Sequence, residues 1–254
     1  MFGRVISFFS ENKSLPSPFS LSGGVETTVG SDKVLTFTTN GTLTVSGSGV
    51  IRVLVVGGGA GGGGAFRDTP SNVFYTGAGG NGGQVVYNAA FSVSSGSYNV
   101  VIGSAGVGGS QGVGTAPDNV PGYQSSILGI IAYGGNKANS YGADGGAYIT
   151  GISSANGNDG SAGTTNDING TSYVYGSGAG SGALGTSITT RVGGNGGTGA
   201  GTGGGADFGA LNPPPTTGSN YGGGGGGGAR VHNTRRGDGA AGFNGIVIVR
   251  YTPN

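Results

Sequence analysis

The sequence has few of the residues from which catalytic and metal sites are usually built. It contains no cysteine and a single histidine, His232. The absence of cysteine excludes a disulfide scaffold, a thiolate metal site and a cysteine nucleophile. One histidine also excludes zinc sites that use several histidine ligands. We therefore expect no bound metal and no cofactor.

Charged residues are also scarce, and their signs nearly cancel. Lysine, arginine, aspartate and glutamate make up 8% of the chain, and the formal net charge is +1. Nucleic-acid binding without sequence preference needs an excess of basic residues to neutralise phosphates, so nucleic acid is not an expected partner. No run of about 18 apolar residues occurs, which excludes a membrane-spanning helix. Glu11, Asn12 and Lys13 interrupt the apolar start, so a signal peptide is not predicted.

Sequence motifs give no support for an enzyme. Residues 53–56 resemble a strand and lead into a formal G-x-G-x-x-G at residues 57–62. In a dinucleotide-binding fold this loop opens a helix, and an acidic residue about 20 positions later binds the ribose. Here Pro70 follows, no apolar helical face is present, and no acid ends the next strand-like segment. No lysine follows a glycine as in a Walker loop, no G-x-S-x-G lies between a strand and a helix, and the acidic residues are scattered.

Glycine dominates what is present. It accounts for 65 of 254 residues, about 26%, against about 7% in ordinary proteins. Collagen is excluded because there are only nine prolines and residues 222–228 have no three-residue period. Aromatic, polar and charged segments separate the glycine runs, an alternation that flexible linkers seldom have. The runs are residues 57–64, 77–83, 103–114, 142–146, 176–185, 193–205 and 222–228.

Strand-like segments flank and separate these runs. Alternating apolar residues in 34–38 and 42–45, joined by Asn40-Gly41, predict a β-hairpin. The β-branched run 50–56 predicts a buried strand. No window has helical periodicity, so we expect an all-β fold with no substantial α-helix. Further predicted strands are residues 84–88, 91–93, 98–102, 126–132 and 246–251.

Ordering so much glycine requires many hydrogen bonds. Fixing one backbone residue costs about 1–2 kcal/mol, and glycine is the least favourable case. A left-handed helix with three residues per turn makes no internal hydrogen bonds, so its N–H and C=O groups point sideways to neighbouring rods. We therefore predict a packed polyglycine II layer on a β-sandwich-like base, with both in one glycine-rich domain of residues 25–254.

Segments between the glycine runs carry the candidate recognition residues. Aromatic side chains on loops held by a rigid scaffold supply contact area at low entropic cost, and clustered arginines suit phosphate or carboxylate groups. The alternative is that the tyrosines cover the glycine layer and the arginines maintain solubility. The candidates for receptor contact are Phe66, Arg67, Phe74, Tyr75, Tyr173, Tyr175, Phe208, Tyr221, Arg230, His232, Arg235 and Arg236.

Residues 1–24 differ in composition from the rest. An apolar start is followed by a Ser/Pro-rich tract, which predicts a docking segment and an extended connector. A frayed terminus is the alternative. The docking candidates are Phe2, Val5, Ile6, Phe8 and Phe9.

Four segments, taken in order, resemble a known family. They are TFTTNGTLTVSGSGVIRVLVVGGGAGGGG, GGQVVYNAAFSVSSGSYNVVIGSAGVGG, SSILGIIAYGG and GFNGIVIVRY. This order resembles the glycine-rich domain of bacteriophage tail-fibre and adhesin proteins, over residues 33–251. The alternation of glycine runs and loops is also similar to tip adhesins of T-even-like phages, in which polyglycine II rods present host-binding loops. The resemblance implies variable-loop counterparts at residues 66–76, 171–175, 207–221 and 229–236.

The resemblance implies a non-enzymatic module of a phage virion. We expect a receptor-binding protein at the tail fibre or tail tip, located in the distal part of the virion and extracellular after release. Its partners would be another virion protein, bound through residues 1–24, and a bacterial outer-membrane protein or polysaccharide; a monomer and a homo-oligomer both fit. One alternative is a structural virion protein, such as a capsid decoration or fibre cap. Another is an ice-binding protein, although bulky loops interrupt the flat array that ice binding needs.

Overall fold

A computed structural model describes residues 18–69, 73–113, 120–136, 146–147, 149–151, 154–186, 189–207, 210–232 and 235–253. Within these ranges the protein is all-β, as predicted, and contains no helix that could cross a membrane. The strands are β1 (Ser20–Ser22), β2 (Val25–Val29), β3 (Asp32–Phe37), β4 (Gly41–Ser46), β5 (Gly49–Val56), β6 (Phe66–Asp68), β7 (Val73–Tyr75), β8 (Val85–Val93), β9 (Gly96–Val100), β10 (Gly112–Val113), β11 (Ser125–Ile127), β12 (Ile130–Ala132), β13 (Thr150–Gly151), β14 (Thr164–Asn166), β15 (Tyr173–Tyr175), β16 (Leu184–Gly185), β17 (Ala206–Asp207), β18 (Ala210–Leu211), β19 (Arg230–Val231), β20 (Arg235–Arg236) and β21 (Ile246–Tyr251).

The base of the molecule is a sandwich of two antiparallel sheets. One sheet has five strands in the order β2-β3-β21-β5-β8, and the other has three in the order β1-β4-β9. Alternate residues fill the space between them, with Ile51, Val53 and Val55 on one side and Leu43 and Val45 on the other. All five are at most 3% exposed. This period of two is that of a pleated strand, and the predicted buried strand at 50–56 is confirmed.

The hairpin predicted around residues 40–41 is wrong. Strand β3 pairs with β2 and β21, whereas β4 pairs with β1 and β9, so these consecutive strands lie in opposite sheets. Both carry alternating apolar residues, and Leu35 and Phe37 join Leu43 and Val45 in one core. Burying these side chains against each other across the sandwich takes the place of pairing the two strands side by side.

The opposite face of the five-stranded sheet is covered as well. Leu54, Val56 and Ile248 point to this side, where Ile168 and Tyr175 pack against them. These two residues belong to the connection and second strand of the β14–β15 hairpin. The central strands β5 and β21 are therefore buried on both faces, which suits their continuous β-branched sequences.

A buried carboxylate stabilises one end of this sheet. The side chain of Asp32 is 11% exposed. It accepts hydrogen bonds from the Oγ1 of Thr252 at 2.6 Å, the Nε of Arg250 at 2.8 Å and the Nη2 of Arg52. The hydrogen bond from Thr252 and then that from Arg250 contribute most to lowering the pKa of Asp32 below its ordinary value, and the two arginine charges add to the effect.

Outside the sandwich the chain runs back and forth in extended glycine-rich segments, which we call the glycine bundle. Its first segment, residues 57–65, is buried at every position. Eight of its backbone N–H groups donate to other segments at 2.8–3.0 Å. The segments of the bundle are residues 57–65, 76–84, 103–111, 120–124, 133–136, 154–163, 176–183, 191–205, 212–218, 222–229 and 237–245.

Hydrogen bonds in the glycine bundle repeat every three residues. The N–H groups of Gly57, Ala60 and Gly63 donate to one neighbour, at residues 84, 81 and 78 in turn. The N–H groups of Gly59 and Gly62 donate to a second neighbour, at residues 243 and 240, and those of Gly58 and Gly61 donate to a third, at residues 123 and 120. Carbonyl groups of the same segment accept from residues 106–112, 135 and 225–228. This arrangement of three donors per turn towards different neighbours is the one that a polyglycine II layer requires.

The position of a segment in the bundle determines its composition. Segments 57–65, 176–183 and 222–229 are buried at every position and consist only of glycine, alanine and serine. A methyl group added to Gly59 would overlap the carbonyl oxygen of Gly223. In the outer segments 103–109, 157–163 and 239–245, glycine instead recurs at every third position. The positions between these glycines are largely accessible to solvent and accept larger side chains.

The chain joins the folded domain at the base. Phe19 and Leu21 are each 4% exposed in the core, and β1 pairs with β4. Residues 19–22 thus form part of the sandwich, although their sequence predicted an extended connector. The docking candidates Phe2, Val5, Ile6, Phe8 and Phe9 lie outside the described residues.

Candidate recognition surface at the tip of the glycine bundle

Short strands gather at the end of the glycine bundle that is remote from the sandwich, and we call this end the tip. Strands β10-β6-β7-β13 form one small sheet there, β16-β19-β20 a second and β17-β18 a third. Strands that follow segments running outward from the base pair in parallel, as β6 does with β10 and β16 with β19. Strands β7 and β20 run back towards the base and therefore pair antiparallel. An extended segment of about 3 Å per residue places the tip about 28 Å beyond the end of β5.

Two aromatic rings stack on the β6–β7 hairpin. Phe66 and Tyr75 are directly opposite each other in the antiparallel pair. Their ring centroids are 4.3 Å apart, and the rings are nearly parallel, with an interplanar angle of 8°. Both residues are half-buried, so part of this aromatic pair is accessible to a ligand.

The next residue pair of the hairpin, Arg67 and Phe74, lies on its opposite face and contacts strand β19. Phe74 is 1% exposed. The guanidinium of Arg230 lies 4.5 Å from the centroid of its ring and that of Arg67 lies 5.8 Å away, both within cation–π range. The His232 ring packs against the same phenyl ring with a centroid distance of 4.4 Å. One buried ring therefore brings together residues from the sequence segments 66–75 and 230–232.

Arg230 is the most constrained of these side chains. It is 2% exposed, and its Nε and Nη1 atoms have no hydrogen-bond partner in the part of the chain that the structure describes. Burial, followed by repulsion from Arg236 and Arg67, lowers the pKa of Arg230 to about 10. The guanidinium remains charged at neutral pH because this value lies well above 7.

Two further arginines lie on β20, beside β19. Arg236 is directly opposite Arg230 in the antiparallel pair. Its Nη1 donates to the carbonyl oxygen of Gly112 at 3.0 Å. Arg235 is exposed. Eight predicted candidates thus lie together at the tip, namely Phe66, Arg67, Phe74, Tyr75, Arg230, His232, Arg235 and Arg236.

Burial divides these eight residues into two groups. Phe74 and Arg230 are 1% and 2% exposed, so neither side chain offers surface to a receptor as predicted. They support the residues around them instead. The other six are at least partly accessible. Their accessible atoms, rather than the whole predicted set, form the candidate surface.

Three predicted tyrosines lie at the base and not at the tip. Tyr173 and Tyr175 belong to β15, and their rings are 4.8 Å apart. Tyr221 lies 6.3 Å from Tyr173 by ring centroid. Tyr175 is 1% exposed, and burial raises its pKa to about 12. These rings cover the outer face of the five-stranded sheet, where Tyr175 offers no surface to a receptor and Tyr173 and Tyr221 are half-buried.

The sequence analysis missed other residues at the tip. Arg191 donates from Nη2 to the Ser154 hydroxyl at 3.1 Å, and its backbone pairs with Ala206. An apolar groove of about 320 Å³ also lies near the tip, lined by Leu211, Pro213–Pro215, Ala229 and Gly237. The prolines next to Phe208 marked this region in the sequence, but Phe208 itself lies outside the described residues.

Two acidic side chains near the tip accept hydrogen bonds from neighbouring residues. Asp207 accepts a hydrogen bond from the Thr190 hydroxyl at 2.6 Å, and Asp238 accepts one from the backbone N–H of Gln111 at 2.7 Å. Among the described residues, no three His, Asp or Glu side chains are grouped so that they could hold a metal ion.

Comparison with known proteins adds one finding. The family model of a glycine-rich domain matches residues 38–252, which is most of the chain. The match begins just before β4 and ends just after β21, and therefore includes the glycine bundle, the tip and most of the sandwich. No curated protein matches the sequence.

Proposed function

Because this chain belongs to the glycine-rich domain family, we propose that it is the host-adhesion module of a bacteriophage tail fibre or tail tip. The base would be attached to the virion, and the tip would bind a bacterial surface receptor. The observation that carries this proposal is the grouping of six partly accessible aromatic and cationic residues at one end of the glycine bundle. In this proposal the protein is not an enzyme.

The construction of the glycine bundle supports this role. Recognition requires loops that a rigid scaffold holds in place. We interpret the bundle as a polyglycine II layer, in which each segment is fixed by hydrogen bonds to several neighbours. Such a layer would place the tip away from the base without the flexibility of a linker.

The chemistry of the tip supports a bacterial surface ligand. The accessible part of the Phe66–Tyr75 pair provides an aromatic surface for a sugar or an apolar patch. Arg67, Arg235 and Arg236 provide planar donors that suit phosphate and carboxylate groups. A bacterial polysaccharide or outer-membrane protein offers both kinds of group.

The position of the first described residues supports attachment at the other end. Phe19 lies in the core of the sandwich, remote from the tip. Docking of Phe2, Val5, Ile6, Phe8 and Phe9 into another virion protein would leave the recognition surface free. The module would then lie at the distal end of the virion, and would be extracellular after release.

Cell binding and adsorption test this proposal. Fluorescently labelled full-length protein should bind intact cells of the bacterium that the parent phage infects, and excess protein should reduce adsorption of that phage. A protein that does neither would contradict the proposal and would instead fit the alternative of a structural virion protein.

A double variant tests whether the tip makes the contact. Arg235→Ala with Arg236→Ala should weaken cell binding about tenfold, since each accessible charge contributes up to about 1 kcal/mol. Lys33→Ala removes an exposed cation from the base and serves as the matched control, with unchanged binding expected. Equal binding by all three proteins would show that these arginines do not contact the receptor.

A further inference from the structure

We propose that Arg230 lies at the centre of an oxyanion-binding site in the tip, which takes a phosphate or carboxylate group of a bacterial surface polysaccharide. That a polysaccharide supplies this group rests on the proposed function. The binding site itself depends only on the surroundings of Arg230.

Two nitrogen atoms of Arg230 lack a hydrogen-bond partner among the described residues. Nε and Nη1 are buried and donate to no described acceptor. Buried polar groups in proteins are nearly always hydrogen-bonded, and a buried charge without a partner is especially unfavourable. An apolar side chain would pack against Phe74 without this penalty. An arginine at this position therefore indicates a ligand that the guanidinium binds.

Two other arginines and a histidine lie beside Arg230. Arg236 lies opposite Arg230 in the strand pair, Arg67 approaches the same phenyl ring, and His232 packs on that ring. Arg236 and Arg67 both disfavour the charged form of Arg230. Of the carboxylates at the tip, Asp207 and Asp238 accept hydrogen bonds from Thr190 and Gln111, and Asp68, next to Arg67 on β6, also has an interaction of its own. Like charges gathered around a buried cation would be stabilised by one bound oxyanion.

The site has a buried floor and a partly accessible rim. Phe74 and Arg230 form the floor of the site, since each is at most 2% exposed. Arg67, His232 and Arg236 are half-buried and surround this floor. An incoming oxyanion would move one of these side chains aside, in the case of Arg236 by replacing its hydrogen bond to Gly112, and would then accept hydrogen bonds from Arg230. The planar guanidinium favours planar or tetrahedral oxyanions over a simple halide.

Thermal unfolding of the full chain in different anions tests this inference. At equal ionic strength, inorganic phosphate should raise Tm relative to chloride by about 3–6 °C at ten times its Kd. Sodium glucuronate forms a second arm, and its effect relative to phosphate distinguishes a carboxylate source from a phosphate source. If neither anion raises Tm above its value in chloride, the inference is wrong.

Variants locate the effect. Arg230→Met should abolish the phosphate-dependent rise in Tm, because it removes the donors and keeps an apolar side chain of comparable length. Arg191→Gln is the matched control, since Arg191 is a tip arginine that already has hydrogen-bond partners, and it should keep the full rise. Should Arg230→Met not fold, Arg230→Lys replaces it, with a reduced rise expected. A full rise in the Arg230 variant would overturn the inference.

This experiment separates the two proposals. Phosphate binding at Arg230 without cell binding would leave the oxyanion site standing and contradict the adhesion function. Cell binding with no anion-dependent rise in Tm would leave adhesion standing and contradict the oxyanion site.

Discussion

The base and the glycine bundle are stabilised by different parts of the chain. In the base, side chains such as Leu43, Val53 and Leu54 are fully buried between or against sheets. In the bundle, backbone groups of residues 57–65 bond to six neighbouring segments, and side chains are almost absent. A change in side-chain size therefore has opposite consequences in the two regions. The base is sensitive to the loss of a methyl group, and the bundle to the gain of one.

Amide hydrogen exchange should give the largest effect. Amides of residues 57–65 should exchange at least about 10⁴-fold more slowly than in an unstructured chain, because opening them requires breaking contacts with several segments. Mass spectrometry can compare peptides from this segment with peptides from β5. Exchange of the segment at unstructured rates, beside a protected β5, would show that only the base is ordered.

A valine in the interior of the bundle should be the most destabilising substitution. The Cβ atom of Gly59→Val would overlap the Gly223 carbonyl, and neither backbone segment can move without losing hydrogen bonds. We expect a loss of more than about 4 kcal/mol in unfolding free energy, or no folded protein. Ser104→Val adds the same side chain at an exposed position of an outer segment. This control should change stability by less than about 0.5 kcal/mol, and equal losses would contradict the comparison.

A truncation in the base should have a somewhat smaller effect. Leu54→Ala empties space between the five-stranded sheet and Tyr175, at an expected cost of about 2–5 kcal/mol. Ala60→Gly makes the corresponding truncation in the bundle, where it removes one methyl group. Chemical denaturation of both variants should show the base substitution as clearly the more costly. A larger loss for Ala60→Gly would reverse the proposed difference between the regions.

The charge cluster in the base should give the smallest effect, and this effect should depend on pH. Asp32→Asn leaves Arg52 and Arg250 without their carboxylate, at an expected cost of about 1–3 kcal/mol near pH 7. The folded-state pKa of Asp32 is lowered, so its contribution is present above about pH 4 and is lost as the pH falls through that lowered value. Unfolding free energies of wild type and variant should therefore converge in acid. Glu26→Gln, in an exposed ion pair, is the control and should cost less than about 1 kcal/mol near pH 7.

Sequence patterns predicted the ranges of those base strands well whose side chains lie in a core. The predicted range 246–251 is that of β21, and 50–56 differs from β5 by one residue. Residues 85–93 form the single strand β8, although two strands, 84–88 and 91–93, were predicted, and a β-bulge lies in its pairing with β5. Residues 126–132 form a hairpin instead of one strand, because Leu128 and Gly129 both have positive φ. A two-residue turn inside an apolar run has little sequence signal.

The sheet to which a strand belongs could not be predicted from local patterns. The sequence around residues 40–41 has every local feature of a hairpin, yet β3 and β4 find partners far away in the chain. In the sheet, strand β21 lies between β3 and β5, but in the sequence it lies near the opposite end of the chain from both. Pairing over such distances depends on the whole core, which a single window of sequence does not contain.

Only part of the candidate surface could be predicted from the sequence, and the reason is physical. Aromatic and cationic residues between glycine runs could be listed from sequence, but the end of the bundle at which each segment lies depends on the direction of the run before it. Residues 171–175 precede an outgoing segment and therefore lie at the base, whereas residues 229–236 follow one. Counting alternating outgoing and returning runs from β5 would have separated Tyr173 from Arg230. The spacing of glycine every third residue in outer segments was a further signal that went unused.

The location of β21 has a consequence for the biogenesis of the domain. This strand occupies the middle of the five-stranded sheet, between β3 and β5, and residues 57–245 separate it from β5. During translation the sheet therefore keeps an open gap until all of the bundle has left the ribosome. Strongly non-local pairing slows folding, and an incomplete sheet with free edges is prone to aggregation. Recombinant production should accordingly benefit from slow, cool expression more than that of a protein whose sheets close hairpin by hairpin.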